Sequence, residues 1–139
     1  MPVPMEYWQA SRDFERYLGD LKQISLLTTH NQCYAMSRAV LHVFRSHVAI
    51  ADAVVFAGVL PPVLRAIFVE DWDCNVPVTP FPDRAALHAE IMAVRPDHNT
   101  ATETPMADVA RALRMNVDPQ RLEDVLQRLP APARDFWAV

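Results

Sequence analysis

Glycine is scarce in this chain, since Gly19 and Gly58 are the only two among 139 residues. Tight β-hairpin turns commonly need glycine, whereas the twelve prolines suit the first turns and connections of helices. The composition therefore favours an all-helical fold. Two isolated glycines also exclude glycine-rich phosphate-binding loops and the GxSxG turn that presents a nucleophilic serine.

Several other functional classes lack their sequence marks. No cluster of lysine and arginine exists and the net charge is -4, so we expect no nucleic-acid partner. Metal-binding spacings such as HExxH are absent, and we expect neither a metal nor a cofactor, although a lone haem-ligating histidine would leave no motif. The least charged stretch, residues 48–69, is interrupted by Gly58 and Pro61-Pro62, which argues against a membrane span.

The beginning of the chain and its cysteines bear on the cellular setting. Residues 1–6 have neither the basic region nor the apolar core of a signal peptide. The two cysteines, Cys33 and Cys74, have no metal-type spacing. Together these features predict a cytoplasmic protein with reduced thiols. Redox regulation is the alternative, and it needs an exposed thiol with a lowered pKa.

Apolar periodicity and proline positions predict seven or eight helices. We expect the helices over residues 5–24, 31–46, 50–59, 61–72, 83–94, 104–115 and 118–129, with a short last helix that reaches residue 137. Thr28 or Thr29, Asp83, Thr104 and Asp118 are the predicted N-caps. Residues 73–82 contain three prolines and form an extended connector between a first unit, 1–72, and a second unit, 83–139, in one compact domain.

The two units contain an internal repeat. Residues 40–68 align with residues 109–137 without gaps, at a constant offset of 69. The identical pairs are Val40 and Val109, Arg45 and Arg114, Val48 and Val117, Leu60 and Leu129, Pro61 and Pro130, and Arg65 and Arg134. The shared order of helix, turn, Leu-Pro step and arginine predicts two copies of one helical unit.

The two copies differ in charge. Residues 117–137 contain seven charged residues and residues 48–68 only two. Val54, Val55 and Val59 stand where the second copy has Glu123, Asp124 and Arg128. Since a helix that is apolar on all sides is normally covered, we expect the short helix of the first copy to be covered by the first helix of the chain or by another copy.

Two further features are candidate sites. Glu70, Asp71 and Asp73 flank Trp72 at the predicted end of a helix; this acidic corner is either a contact for a partner or a solvated surface with Trp72 packed inward. Arg65 and Arg134 each follow a Leu-Pro step. Each either has a structural role, in which it pairs with a carboxylate or binds the carbonyls that end the preceding helix, or holds an anionic ligand. The polar segment 95–103, with Asp97-His98-Asn99, is predicted to be a loop.

Several passages resemble one protein family. They are Met5-Glu6-Tyr7, residues 56–68 with the Leu-Pro and Leu-Arg steps, Asp71-Trp72, and Leu129-Pro130. They are similar to the bacterial domain of unknown function family 2267. The resemblance implies an all-α fold and a bacterial cytoplasmic setting. It implies no activity, cofactor or catalytic residue.

The leading functional hypothesis is a non-catalytic helical module that acts by protein contact, as a homo-oligomer or with another protein. Its predicted surface consists of Val54, Val55, Val59, Glu70, Asp71, Trp72 and Asp73. The alternative is a small-molecule or cofactor-binding protein, including an enzyme, with a pocket between the two units. No catalytic residue is identifiable, which favours the first hypothesis.

Overall fold

Helix follows helix along the described part of the chain, residues 1–94 and 102–139, in the computed structural model. These residues contain no β-strand, which confirms the all-α prediction. Most of the predicted loop 95–103, including Asp97-His98-Asn99, lies outside them. The helices are α1 Met5–Trp8, α2 Ala10–Ser25, α3 His30–Arg45, α4 Ile50–Ala57, α5 Pro62–Val69, α6 Arg84–Ala93, α7 Pro105–Arg114, α8 Pro119–Arg128 and α9 Ala131–Phe136.

Three of the predicted boundaries are wrong. The described residues hold nine helices, because the first predicted helix is divided at Gln9. α4 ends at Ala57 instead of Val59. α5 ends at Val69 instead of Trp72, because the backbone leaves the helical conformation at Glu70, with ψ of 131°, and Asp71 then adopts a left-handed conformation with φ of 55°.

Capping side chains mark the starts of three helices, α3, α6 and α8. Thr29 and Gln32 form a capping box, in which each side chain accepts a hydrogen bond from the other's backbone N–H at 3.1 Å. Asp83 and Asp118 cap α6 and α8 as predicted. Thr104 is the N-cap residue of α7 and Pro105 its first residue, as predicted, but the Thr104 side chain accepts no backbone N–H. Its hydroxyl instead donates to Asp108 at 3.0 Å.

Aromatic rings from both predicted units meet in one cluster around Phe44 of α3. The centroid of the Phe44 ring lies 4.9 Å from that of Phe56, 5.1 Å from that of Phe136 and 5.3 Å from that of Trp137. All four side chains are buried. α3 also packs against α2, α5, α6 and α7, so this helix joins the first and second halves of the chain.

An arginine at the end of α3 and another at the end of α7 make matching hydrogen bonds. Arg45 Nη1 donates to the carbonyl oxygen of Phe68 at 2.8 Å, and Arg114 Nη1 donates to that of Trp137 at 2.6 Å. Donors and acceptors are each separated by the predicted offset of 69. These contacts support the internal repeat, which stays a prediction.

Candidate interaction surface

One part of the molecular surface carries only apolar residues. Seven residues between positions 49 and 69 are exposed, and none has a charged or polar side chain. We call this surface the α4–α5 face. It consists of Ala49, Ile50, Ala51, Val54, Gly58, Ala66 and Val69. Its large side chains are well exposed: 44% for Ile50, 63% for Val54 and 49% for Val69.

Helical spacing explains why these residues point outward. Ile50, Val54 and Gly58 are four residues apart and share one side of α4, while Ala66 and Val69 share one side of α5. The opposite sides carry Phe56 and Phe68, whose ring centroids lie 5.6 Å apart within the buried aromatic cluster. The outward positions are therefore the ones left without a partner in the chain.

Only one of the three valines that the sequence placed on the interaction surface is exposed. Val54 lies in the α4–α5 face, Val55 is half-buried and Val59 is buried. α4 packs against α8 and not extensively against the first long helix. Sequence reasoning missed Ile50, Ala66 and Val69, although Ala66 aligns with the charged Asp135 and could have been found from that difference.

The two charged residues of this region lie at its margins. Asp52 is half-buried. Arg65 donates from Nε to the carbonyl oxygen of Ala57 at 3.2 Å and from Nη2 to that of Leu60 at 2.9 Å. The guanidinium of Arg65 thus holds the carbonyls that end α4, a structural role that neutralises the negative end of that helix.

Arg134 makes the corresponding contact in the second unit. Its Nη1 donates to the carbonyl oxygen of Leu129 at 2.6 Å. The prediction that both arginines bind the carbonyls of the preceding helix is confirmed by these hydrogen bonds.

The acidic corner is paired with arginines of α3. Arg38 Nε lies 3.5 Å from Glu70 Oε1, and Arg38 Nη2 lies 3.2 Å from Asp71 Oδ2. Arg45 donates to the carbonyl oxygen of Glu70 at 2.7 Å, and its guanidinium carbon lies 5.2 Å from the centroid of the Trp72 ring. These bonds neutralise much of the corner's charge.

The remaining corner residues also have partners within the chain. Trp72 is half-buried and contacts Phe68, with ring centroids 5.7 Å apart. Asp73 Oδ1 accepts the backbone N–H of Asn75 at 2.9 Å. The residues predicted for the interaction surface thus differ in kind. Val54 is an exposed apolar residue, whereas contacts within the chain engage Glu70, Asp71, Trp72 and Asp73.

Two exposed aromatic residues precede α2. Tyr7 is 51% exposed and Trp8 is 72% exposed. The predicted single helix over residues 5–24 would have continued from Tyr7 into α2, which is wrong because the chain turns at Gln9. Arg65 Nη1 lies 3.4 Å from the hydroxyl of Tyr7, so this segment is held beside the turn between α4 and α5.

The chain matches the model of one protein family. The model for the uncharacterized conserved proteins DUF2267 matches residues 14–136. The chain belongs to this family. The match excludes Met5-Glu6-Tyr7, which had been counted toward the resemblance. A comparison with curated proteins finds no match.

The predicted pocket of this DUF2267 chain corresponds to a cleft between the two units. The cleft has a volume of about 240 Å³ and lies between the α4–α5 turn, the α7–α8 turn and α1. Arg65 and Arg121 both line it. Arg121 Nη2 donates to the carbonyl oxygen of Gly58 at 3.0 Å, so both guanidinium groups are already engaged by backbone carbonyls.

Burial holds two titratable groups of this DUF2267 chain, His42 and Cys33, in their uncharged forms. Burial lowers the pKa of His42 to about 4, and its Nε2 hydrogen-bonds to the carbonyl oxygen of Ile67 at 2.8 Å. Cys33 is buried, and burial raises the pKa of its thiol. Cys74 is exposed. The raised pKa of Cys33 disfavours its thiolate, and with it the redox alternative at that residue.

Two further observations concern metal binding and membrane spanning. Within residues 1–94 and 102–139, no group of three or more histidine, cysteine or acidic side chains could hold a metal ion. No helix in these same ranges is long and apolar enough to cross a membrane.

Proposed function

We propose that the chain is a non-catalytic helical module that acts by protein contact through the α4–α5 face. The observation that carries this proposal is that every exposed residue between positions 49 and 69 is apolar. Charged residues make up 22% of the whole chain. A set of exposed apolar positions without a charged one among them is typical of a surface that another molecule covers.

Comparison within the chain supports the same conclusion. In the second unit, positions 69 residues later hold Asp118, Gln120, Glu123, Gln127 and Asp135, and all of them are exposed. The corresponding helices of the second unit thus accommodate polar and charged side chains at these positions. The uncharged α4–α5 face is therefore a property of that surface and not a requirement of the helical hairpin.

The second candidate function is small-molecule binding in the cleft between the two units. Its polar lining supports this alternative. Two observations weaken it: the volume of about 240 Å³ is below the roughly 300 Å³ at which small-molecule pockets begin, and both arginines of the cleft bind backbone carbonyls. A ligand retained in native mass spectrometry would favour this alternative.

Site-specific photo-crosslinking in cells tests the proposed function. A photoreactive amino acid replaces Val54 in the α4–α5 face or, as a control, Val76 in the connector, which is equally exposed at 64%. We expect protein adducts from position 54 and few from position 76. Equal yields from the two positions, or no adduct from position 54, would contradict the proposal. The bacterial, cytoplasmic setting stays a prediction, which is tested by locating the protein in the same cells.

A further inference from the structure

We propose that Thr79 is a site of covalent acylation, at which its hydroxyl attacks a small activated ester or thioester and His47 takes up the hydroxyl proton. The inference goes beyond the proposed function, because it concerns the connector after α5 and not the α4–α5 face. It is carried by a chain of hydrogen bonds that runs from Thr79 through His47 to Glu90 of α6.

The imidazole of His47 lies between a hydroxyl and a carboxylate. Its Nδ1 is 3.0 Å from Thr79 Oγ1, and its Nε2 is 3.0 and 3.1 Å from the two carboxylate oxygens of Glu90. A hydroxyl at one ring nitrogen and a carboxylate at the other is the arrangement that activates a nucleophile. In it the ring acts as general base and the carboxylate orients the ring.

The carboxylate of Glu90 decides the direction of these hydrogen bonds. A carboxylate has acceptors and no donor, so the proton of the neutral imidazole lies on Nε2, and Nδ1 is left as an acceptor. The hydroxyl of Thr79 is able to donate to Nδ1, whereas the carbonyl oxygen of Thr79, also 3.0 Å away, is not. The lone pair of Nδ1 therefore faces the hydroxyl proton.

The same geometry stabilises the cation that forms when this proton moves. After the transfer, both ring nitrogens of His47 carry a proton. Nδ1 then donates to the carbonyl oxygen of Thr79 and Nε2 donates to Glu90, at distances that are already present. The imidazolium thus has two acceptors without a change in the backbone, and hydrogen bonds from a charged donor are the stronger ones.

Exposure places the reacting hydroxyl outward and the base inward. Thr79 is exposed, whereas the side chain of His47 is 5% exposed. The ring of Phe81 packs on the imidazole, with ring centroids 5.3 Å apart. The backbone N–H of Thr79 donates to the carbonyl oxygen of Ser46 at 3.2 Å, and this bond fixes the threonine relative to the neighbouring His47.

A small cavity adjoins the residues that precede the pair. Ser46 and Val78, one position before His47 and Thr79, both line a cavity of about 210 Å³. Trp72 contributes an aromatic wall to it. The volume is below the roughly 300 Å³ at which small-molecule pockets begin, so the cavity suits an acyl group of the size of acetyl and not a larger ligand.

The proposed step balances without a redox partner. Oγ1 of Thr79 attacks the carbonyl carbon of the donor while Nδ1 of His47 takes the hydroxyl proton. A new C–O bond to threonine forms, the bond between the acyl carbon and the leaving group breaks, and the imidazolium returns the proton to the leaving group. One acyl group is transferred per chain, so the step modifies the protein. Glu90 is a positioning residue, because it contacts the ring and not the donor.

Treatment of the full chain with p-nitrophenyl acetate, followed by peptide mass spectrometry, tests the proposal. We expect an acetyl group on Thr79, which fragmentation of the tryptic peptide 66–84 distinguishes from one on Cys74. Thr28 is the matched control, because it is exposed and its hydroxyl donates to the amide oxygen of Gln32 at 2.9 Å instead of a base. Thr79 should react at least about 100-fold faster than Thr28, and equal rates would overturn the inference.

Three substitutions separate the roles of the side chains. Thr79→Val should remove the adduct, and His47→Gln should slow acetylation of Thr79 to the rate of Thr28. Glu90→Gln should slow it at least about 10-fold; this side chain is 40% exposed, and the change keeps its shape. Circular dichroism checks that each variant keeps its helices. An unchanged rate in a folded His47→Gln or Glu90→Gln variant would refute the assignment.

Nitrogen-15 NMR of the histidine side chains tests the hydrogen-bond directions in the unreacted protein. We expect the neutral ring of His47 to carry its proton on Nε2 in the wild type and to be a mixture of both tautomers in Glu90→Gln. A wild-type ring with its proton on Nδ1 would donate to the carbonyl oxygen of Thr79 and would leave the hydroxyl without a base. That result would overturn the inference whatever the variants do.

Discussion

Replacing Arg45 by methionine removes the hydrogen bonds that hold the end of α5 and keeps most of the apolar stem. Arg45 Nη1 donates to the carbonyl oxygens of Phe68 at 2.8 Å and Glu70 at 2.7 Å. Its guanidinium also packs over Trp72 at 5.2 Å. Arg45 is buried, so the carbonyl of Phe68 would lose its partner in a place that water reaches poorly.

These contacts give the size of the expected effect. A hydrogen bond from a charged group contributes about 1.5–3 kcal/mol, and a partly desolvated cation–π contact contributes about 1 kcal/mol. The carbonyl of Glu70 belongs to a half-exposed residue and regains water in the variant, which reduces the loss. We therefore expect Arg45→Met to lower the free energy of unfolding by about 3 kcal/mol, a large part of the roughly 5–15 kcal/mol of a typical domain.

Arg114→Met is the matched control, because it removes the corresponding arginine of the second unit. Arg114 donates to the carbonyl of Trp137, and its ion pair with Glu123 at 4.0 Å is long and exposed and contributes little. We expect a loss of about 1.5 kcal/mol. Urea unfolding followed by circular dichroism gives both values at constant m-value. A loss below about 1 kcal/mol for Arg45→Met, or a larger loss for Arg114→Met, would refute the reasoning.

Three smaller predictions concern single residues. Leu26→Gly should raise the free energy of unfolding by about 1 kcal/mol in thermal unfolding, because Leu26 has φ of 64° at the end of α2; no gain would contradict this. His42 is neutral when buried, since its pKa falls to about 4, whereas in the unfolded chain it binds a proton near pH 6.5. The full pKa difference corresponds to about 3 kcal/mol, and solvent screening reduces it because His42 is half-buried. Stability should therefore decrease by roughly 1–2 kcal/mol as the pH falls from about 6.5 to about 4, and His42→Gln should flatten this dependence. Under native conditions Cys74 should react fully with a thiol reagent and Cys33 only on unfolding, so rapid labelling of both would be contrary to the burial of Cys33.

The fold was predictable where short-range chemistry decides it. Asp83 and Asp118 cap their helices, and the proline positions mark helix starts, as the sequence indicated. The break at Gln9 was not predictable, because neither glycine nor proline stands there and the apolar spacing continues across it. The turn at Glu70 and the left-handed Asp71 after α5 were also hidden, because neither glycine nor asparagine marks them and an aspartate adopts the left-handed conformation only occasionally.

The candidate surface was predictable only in part. The loss of charge between residues 48 and 68 is visible in the sequence and identified Val54. Which side of α4 is buried depends on where α8 and the aromatic cluster lie, and helical spacing alone does not contain that information. For this reason Val55 and Val59 were misplaced, while Ala66 and Val69 were overlooked.

The contrast between the two units indicates where function is located. The arginine–carbonyl hydrogen bonds recur 69 residues apart, at Arg45 and Arg114 and again at Arg65 and Arg134. These bonds fix the backbone of each helical hairpin, so exposed positions on the hairpins are free to vary without loss of the fold. An exposed apolar surface promotes unwanted association unless a specific partner covers it. The second unit has charged residues at three of the corresponding positions, Asp118, Glu123 and Asp135, so the hairpin does not require an uncharged surface there, and this contrast supports the proposed contact with a partner.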